Sequence, residues 1–148
     1  MKKLVSLFCF VLTCSPGFAQ SADEAGIRAA CMGYIDAFYK ADTTLAYRSV
    51  HPKLQKRGFA YSRQNKAYSR QLEMPFPALV DLARKWNADG QSANASSVKT
   101  VKILDIEDKT ASAKVTAVWG IDYIHLVKED GKWWVMNVLW QALPEKRP

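Results

Sequence analysis

The sequence predicts an α+β fold in which three N-terminal helices pack on a curved antiparallel β-sheet. Two observations predict it. Apolar residues between Asp23 and Trp86 recur at the spacing of helix faces, and after Ser97 the period changes from 3.6 to 2. The strand-rich half is also divided by charged turns, Glu107-Asp108-Lys109 and Glu129-Asp130-Gly131. A length of 148 residues, 49% hydrophobic and 24% charged, fits one globular domain and excludes disordered, collagen-like and disulfide-scaffold classes.

The chain opens with Met1-Lys2-Lys3, the apolar run Leu4 to Cys14, and Ser15-Pro16-Gly17-Phe18-Ala19. Basic start, short apolar stretch and small residues at positions 17 and 19 predict a signal peptide over 1–19, cleaved after Ala19. The mature domain is then 20–148, exported to a periplasm or secreted. The apolar run falls short of the roughly 20 residues that span a bilayer as a helix, and no later run matches it, so no transmembrane segment is expected. Losing Lys2 and Lys3 would lower the formal charge of +7 to about +5. Cys9 and Cys14 would leave with the leader, so Cys31 would be the one remaining thiol and no disulfide is expected. Cys31 shares an apolar stripe with Ile27, Tyr34, Ile35 and Phe38, the setting of a buried inert thiol.

That stripe predicts a long first helix from Asp23 to Ala41. Asp42-Thr43-Thr44 is a fresh cap for a short second helix through Leu45, Ala46, Tyr47 and Val50, ended by His51-Pro52. Pro77 suits a first helical position ahead of Leu79, Val80, Leu82, Ala83 and Trp86, a third helix stopping near Asn87 to Gly90. Gln91 to Ser97 reads as a polar loop, and Asn94-Ala95-Ser96 within it as loop sequence. Three strand runs follow, Val98 to Ile106, Thr110 to Val127 and Lys132 to Gln141, with a bulge or bend expected at Gly120. In the last run Trp133, Val135 and Leu139 alternate with Trp134, Met136, Val138 and Trp140, so both faces read as apolar. The helices cover one; a homodimer through the sheet is the expected cover for the other.

Three segments carry a family resemblance: Tyr34-Ile-Asp-Ala-Phe-Tyr-Lys-Ala-Asp42, Val50-His-Pro-Lys-Leu-Gln-Lys-Arg57, and the stretch Asp122 to Trp140 with Lys-Glu-Asp-Gly-Lys-Trp-Trp at its centre. Together they resemble the nuclear transport factor 2-like superfamily and, within it, the branch labelled "Putative lumazine-binding", which includes many small exported bacterial proteins. The resemblance implies a cone with a pocket between helices and sheet. It carries no catalytic residues across: ketosteroid isomerases of the superfamily use acids and a tyrosine in the cone, and Tyr34 lies in a comparable helix, yet no matching carboxylate pair is apparent. The stretch Arg57 to Met74 departs from the pattern, with Ala60-Tyr-Ser-Arg-Gln64 repeated as Ala67-Tyr-Ser-Arg-Gln71. On a helix, this spacing of seven would align Tyr61 with Tyr68 and Arg63 with Arg70.

The two histidines, His51 and His125, lack the spacing of metal-ligand pairs, and no nucleophile elbow, phosphate loop or dinucleotide motif is present. No metal or other cofactor is predicted. The expected function is binding of a small organic ligand in an apolar, aromatic pocket. Tyr34 and Phe38 come from the first helix; Trp119, Asp122, His125 and Asn137 from the strands; and His51 and Arg57 from the mouth. An alternative is a metal-independent isomerase, dehydratase or hydrolase with Asp122 or His125 as base and Tyr34 as donor. Another is a basic adaptor that binds polyanions or a protein partner through the Arg57–Arg70 surface, where seven basic residues from Arg48 to Arg70 interleave with aromatics. Nucleic acid is not an expected partner of an exported protein.

Overall fold

The computed structural model describes residues 16–144. Residues 1–15 of the expected leader lie outside them. Helix α1 spans Pro16–Tyr39, α2 Thr43–Ser49 and α3 Phe76–Trp86. Strands are β1 Val50–Phe59, β2 Tyr61–Ser62, β3 Ala67–Tyr68, β4 Leu72–Pro75, β5 Lys99–Ile106, β6 Thr110–Ala117, β7 Gly120–Glu129 and β8 Lys132–Ala142.

Helix α1 buries Ile27, Cys31, Tyr34, Ile35 and Phe38, the stripe its periodicity predicts. Ala41, in the left-handed region at φ +50, turns the chain into α2. The Asp42 carboxylate caps α2 by accepting from the Thr44 amide at 2.9 Å. Pro77 sits in the first turn of α3, which buries Phe76, Leu79, Val80 and Ala83. All three helices lie over one face of the sheet, and the side chains between form the core.

The α+β class stands, and the sheet is mixed and mostly antiparallel, in the order β4-β1-β8-β7-β6-β5. β1 runs parallel to β8 and antiparallel to β4; β5 to β8 form an antiparallel meander. Three details correct the sequence-based expectation. The run Thr110 to Val127 is two strands, joined by the two-residue turn Val118-Trp119 between the paired residues Ala117 and Gly120. Gly120 has φ +142, and a Cβ there would lie 2.1 Å from the Gln141 carbonyl oxygen, so glycine enables the turn to close against β8. Second, the duplicated Ala-Tyr-Ser-Arg-Gln segments form a small hairpin in which Tyr61 faces Tyr68 across the strands, ring centroids 5.1 Å apart, instead of a helical ridge.

Third, β8 changes facing midway. His125 pairs with Asn137 and Leu126 with Val135, which leaves Met136 as an extra residue. The core side of β8 is therefore Trp133, Val135, Val138 and Trp140, while Trp134, Asn137 and Leu139 face outward. The offset at Met136 and others at Leu104 in β5 and in the first half of β1 accompany the curvature of the sheet. The result is a cone, helices filling its concave side.

Candidate functional site

At the centre of the cone three polar side chains meet where strand alternation alone would put apolar ones. In β1, Leu54, Lys56 and Gly58 point inward and Gln55 and Arg57 outward. In β7 the inward positions after Gly120 are Asp122, Ile124 and Leu126. Tyr34 comes down from α1. Asp122 is fully buried and Lys56 is 6% exposed. The Lys56 Nζ donates to the Tyr34 hydroxyl at 2.6 Å, Tyr34 donates to Asp122 Oδ1 at 3.4 Å, and the Trp119 indole N–H donates to Asp122 Oδ2 at 2.8 Å. Amine and carboxylate are thus joined through a hydroxyl.

Aromatic rings enclose this chain. The Lys56 ammonium position lies 5.1 Å from the Tyr34 ring centroid, 5.3 Å from Phe38 and 5.6 Å from Trp140, within range of cation–π attraction. Gly58 admits Trp140: a Cβ there would come within 2.4 Å of the indole. Burial pushes the Asp122 carboxyl above its ordinary range, against the opposing pull of Lys56 and of the Trp119 and Tyr34 hydrogen bonds. Burial also lowers the Lys56 ammonium, although the Asp122 charge favours it, and drives the Tyr34 phenol well up. Cys31, close by, is pushed up to about 12 by burial and by Asp122, which makes it a poor nucleophile. Among the described residues no buried side-chain polar atom lacks a hydrogen-bond partner.

A cleft of about 750 Å³ opens at the end of the cone where β6 turns into β7. Tyr61 and Arg63 of the β2–β3 hairpin form one wall; Trp86 at the end of α3, Val98, and Val118 and Trp119 of the turn form others. Trp119 and Trp86 meet edge to face, centroids 5.3 Å apart, and Tyr39 stacks on Trp86. Asn87 fixes the loop 91–97 at the cleft's rim: its amide donates to the carbonyls of Tyr39 and Ala93 and accepts from the Ser92 and Ala93 amides. Trp119 belongs to both places. Its ring lines the cleft and its N–H holds Asp122, so the indole separates the cleft from the buried chain.

Of the residues predicted from sequence, Tyr34, Phe38, Trp119 and Asp122 come together here. The other four do not. His125 is on the outer face of β7, where its ring Nδ1 is 3.2 Å from the Asn137 amide nitrogen; Asn137 is there because the Met136 bulge turns it out. A base role for His125 beside Asp122 is thereby corrected, since residues three apart on a regular strand face opposite ways. Arg57 is also outward, paired with Glu73 at 3.0 Å. His51 sits by the opposite end of β7, 3.2 Å from Glu129 and edge-on to Trp134. The basic run is dispersed: Lys56 inside, Arg57 on the outer face, Arg63 in the cleft. Trp86 and Trp140 were not expected as site residues, and Lys56, Tyr61 and Arg63 were expected on the basic surface, not in the pocket. The inward alternation Leu54-x-Lys56-x-Gly58 was the signal for Lys56, hidden because only one of the three is apolar. Among the described residues no three His, Cys, Asp or Glu side chains cluster to hold a metal ion.

Comparison with known proteins finds a family match for this chain. The profile of the family described as "Putative lumazine-binding" matches residues 22–141. Solved structures with the same fold include an NTF2-like protein of unknown function from Shewanella baltica OS155, 19% identical with TM-score 0.64, the match covering 90% of this chain and all of that one (100%). An NTF2-like protein with a cystatin-like fold from Novosphingobium aromaticivorans is 12% identical with TM-score 0.60, covering 86% of each chain. A protein titled "Putative Scytalone Dehydratase" from the same species is 11% identical with TM-score 0.56, covering 86% of this chain and 88% of that one. No curated protein matches the chain.

Proposed function

From a chain that belongs to the "Putative lumazine-binding" family of the NTF2-like superfamily, we propose that the protein holds a small organic ligand in the cleft at the open end of its cone. The observation that carries this is the cleft itself: about 750 Å³, walled by Trp86, Trp119 and Tyr61, with polar groups at its rim. Ligand sites of drug-sized molecules occupy roughly 300 to 1,000 Å³ and combine aromatic walls with a few placed polar groups. The family's label names a flat bicyclic heteroaromatic ring, which aromatic walls suit by stacking. Calorimetric titration with lumazine tests it. Saturable binding that weakens at least about tenfold in Trp119→Ala, or about 1.4 kcal/mol, supports the cleft; no heat with lumazine, in a protein shown to be folded, overturns it for this ligand class.

The proposal includes an exported protein, cleaved after Ala19 and released to a periplasm or secreted, that pairs with a second copy through the outer face of its sheet. Tyr123 and Leu139, 47% and 49% exposed, are neighbours across β7 and β8 on that face and supply its apolar centre.

The buried chain favours a second reading, an enzyme that moves a proton in the isomerase or dehydratase manner. A carboxyl that burial makes a better proton acceptor can take up and return a proton, and a phenol beside it can donate to a developing oxyanion. The structural neighbour titled "Putative Scytalone Dehydratase" supports this reading. Substrate must reach Asp122 past Trp119. Exchange of solvent deuterium into carbon acids next to a ketone, followed by NMR, should occur with the native chain and stop in Asp122→Asn with the fold retained. Equal exchange in both would end this reading.

A further inference from the structure

The β2–β3 hairpin adds a wall to the cleft and brings one charge with it. Its construction is tight for so short a ladder. Tyr61 packs edge to face on Tyr68; the Ser69 hydroxyl accepts from the Ala60 amide at 3.1 Å and donates to the Arg70 carbonyl at 2.7 Å; and the Ser69 amide donates to the Ala60 carbonyl at 2.8 Å. The Asn65 amide closes the turn onto Ser62 Oγ at 3.2 Å, and Lys66 takes the left-handed conformation that reverses the chain. Arg63 is the first residue of that turn, directly after β2, and lines the cleft together with Tyr61. Its partner in the duplicate, Arg70, does not line the cleft.

Among the described residues that line the cleft, Arg63 is the one charged side chain; none is acidic. The same lining includes the aromatic rings of Trp86 and Trp119. An arginine presents a planar fork of N–H donors that meets a carboxylate with two parallel hydrogen bonds, and it does so without losing its charge at any ordinary pH. A single arginine balances a single negative charge, which fits a carboxylate better than a doubly charged phosphate. We infer that the cleft selects flat aromatic carboxylates, the ring held by Trp86, Trp119 and Tyr61 and the carboxylate by Arg63. The inference rests on the ligand-binding proposal and adds a preference to it, for an anionic carboxylate over a neutral flat ring.

Calorimetric titration of the full chain with naphthalene-2-carboxylate and with its neutral isostere naphthalene-2-carboxamide tests this at low salt. The carboxylate should bind at least about tenfold more tightly, a charge-assisted hydrogen-bond pair being worth roughly that ratio or more. Arg63→Gln should bring the two ligands level, whereas Arg70→Gln, outside the cleft, should keep the preference. Equal affinity of the two ligands for the native chain, or a preference that persists in Arg63→Gln, overturns the inference while leaving a ligand-binding cleft. Binding of neither ligand also overturns the inference, and the lumazine titration then decides separately whether the cleft binds a flat ring.

Discussion

Lys56 and Asp122 are hydrogen-bonded to one another by way of the Tyr34 hydroxyl and attract directly through space as well, so loss of either end leaves the other buried without its counter-charge. Removing one member of a buried pair costs about 3 to 5 kcal/mol, whereas replacing both together costs less than the two separate losses. Urea denaturation should therefore show Lys56→Met less stable than the native chain by about 3 kcal/mol, and Lys56→Met with Asp122→Asn less damaged than the two singles added. The pH dependence has a definite sign. Burial raises Asp122 in the folded chain above its unfolded value. Between those two values the folded state therefore holds more protons, and stability falls as pH climbs through the window. Asp122→Asn lacks that dependence. Compared from about pH 4 to about pH 7, the native chain should lose stability relative to Asp122→Asn, and a difference that stays flat or moves the other way contradicts the raised carboxyl. Half the site was legible at this scale. The apolar stripe led to Tyr34 and Phe38, and the strand pattern led to Trp119 and Asp122. Lys56 was not, because a lysine inside a basic run looks like a solvated face until its strand and inward parity are known.

At the scale of elements, turn chemistry decides where the polar and aromatic groups end up. The turn Val118-Trp119 has neither Asn nor Asp, and strong strand formers on both sides make Thr110 to Val127 look continuous. Gly120 alone marks the reversal. Gly120→Ala adds a Cβ against the Gln141 carbonyl and asks alanine for a positive φ, so the midpoint of thermal unfolding should drop, with a loss of more than about 1 kcal/mol. Because Trp119 is part of that turn and lines the cleft, ligand binding should weaken too. In the β2–β3 hairpin, Ser69→Ala removes the two side-chain bonds that tie its base, worth about 1 kcal/mol each in net terms. Amide exchange across 61–68 should accelerate while the melting temperature of the whole domain hardly changes. The three helices were legible from capping and 3.6-residue spacing, which are local signals. β1 was not: of the strands on either side of it in the sheet, β8 lies far away in sequence and β4 is a four-residue strand beyond the small hairpin, and its inward residues include a lysine and a glycine.

For the whole molecule, helices cover one face of the sheet and the other presents Tyr123 and Leu139 between Lys114 and Arg57. If a second copy covers this face, sedimentation of the native chain should give a dimer and Leu139→Asp a monomer with the same circular dichroism; a monomer at high micromolar concentration in the native chain refutes the pairing. Facing and curvature have separate origins in this sheet. Met136 is the surplus residue of β8, inserted between Val135, which faces the core, and Asn137, which does not. Deleting it would keep Val135 and Val138 inward and Asn137 and Leu139 outward, now in simple alternation. What the deletion takes away is the local kink. Deletion at this single position would therefore straighten β8 locally while each of its remaining residues keeps its facing.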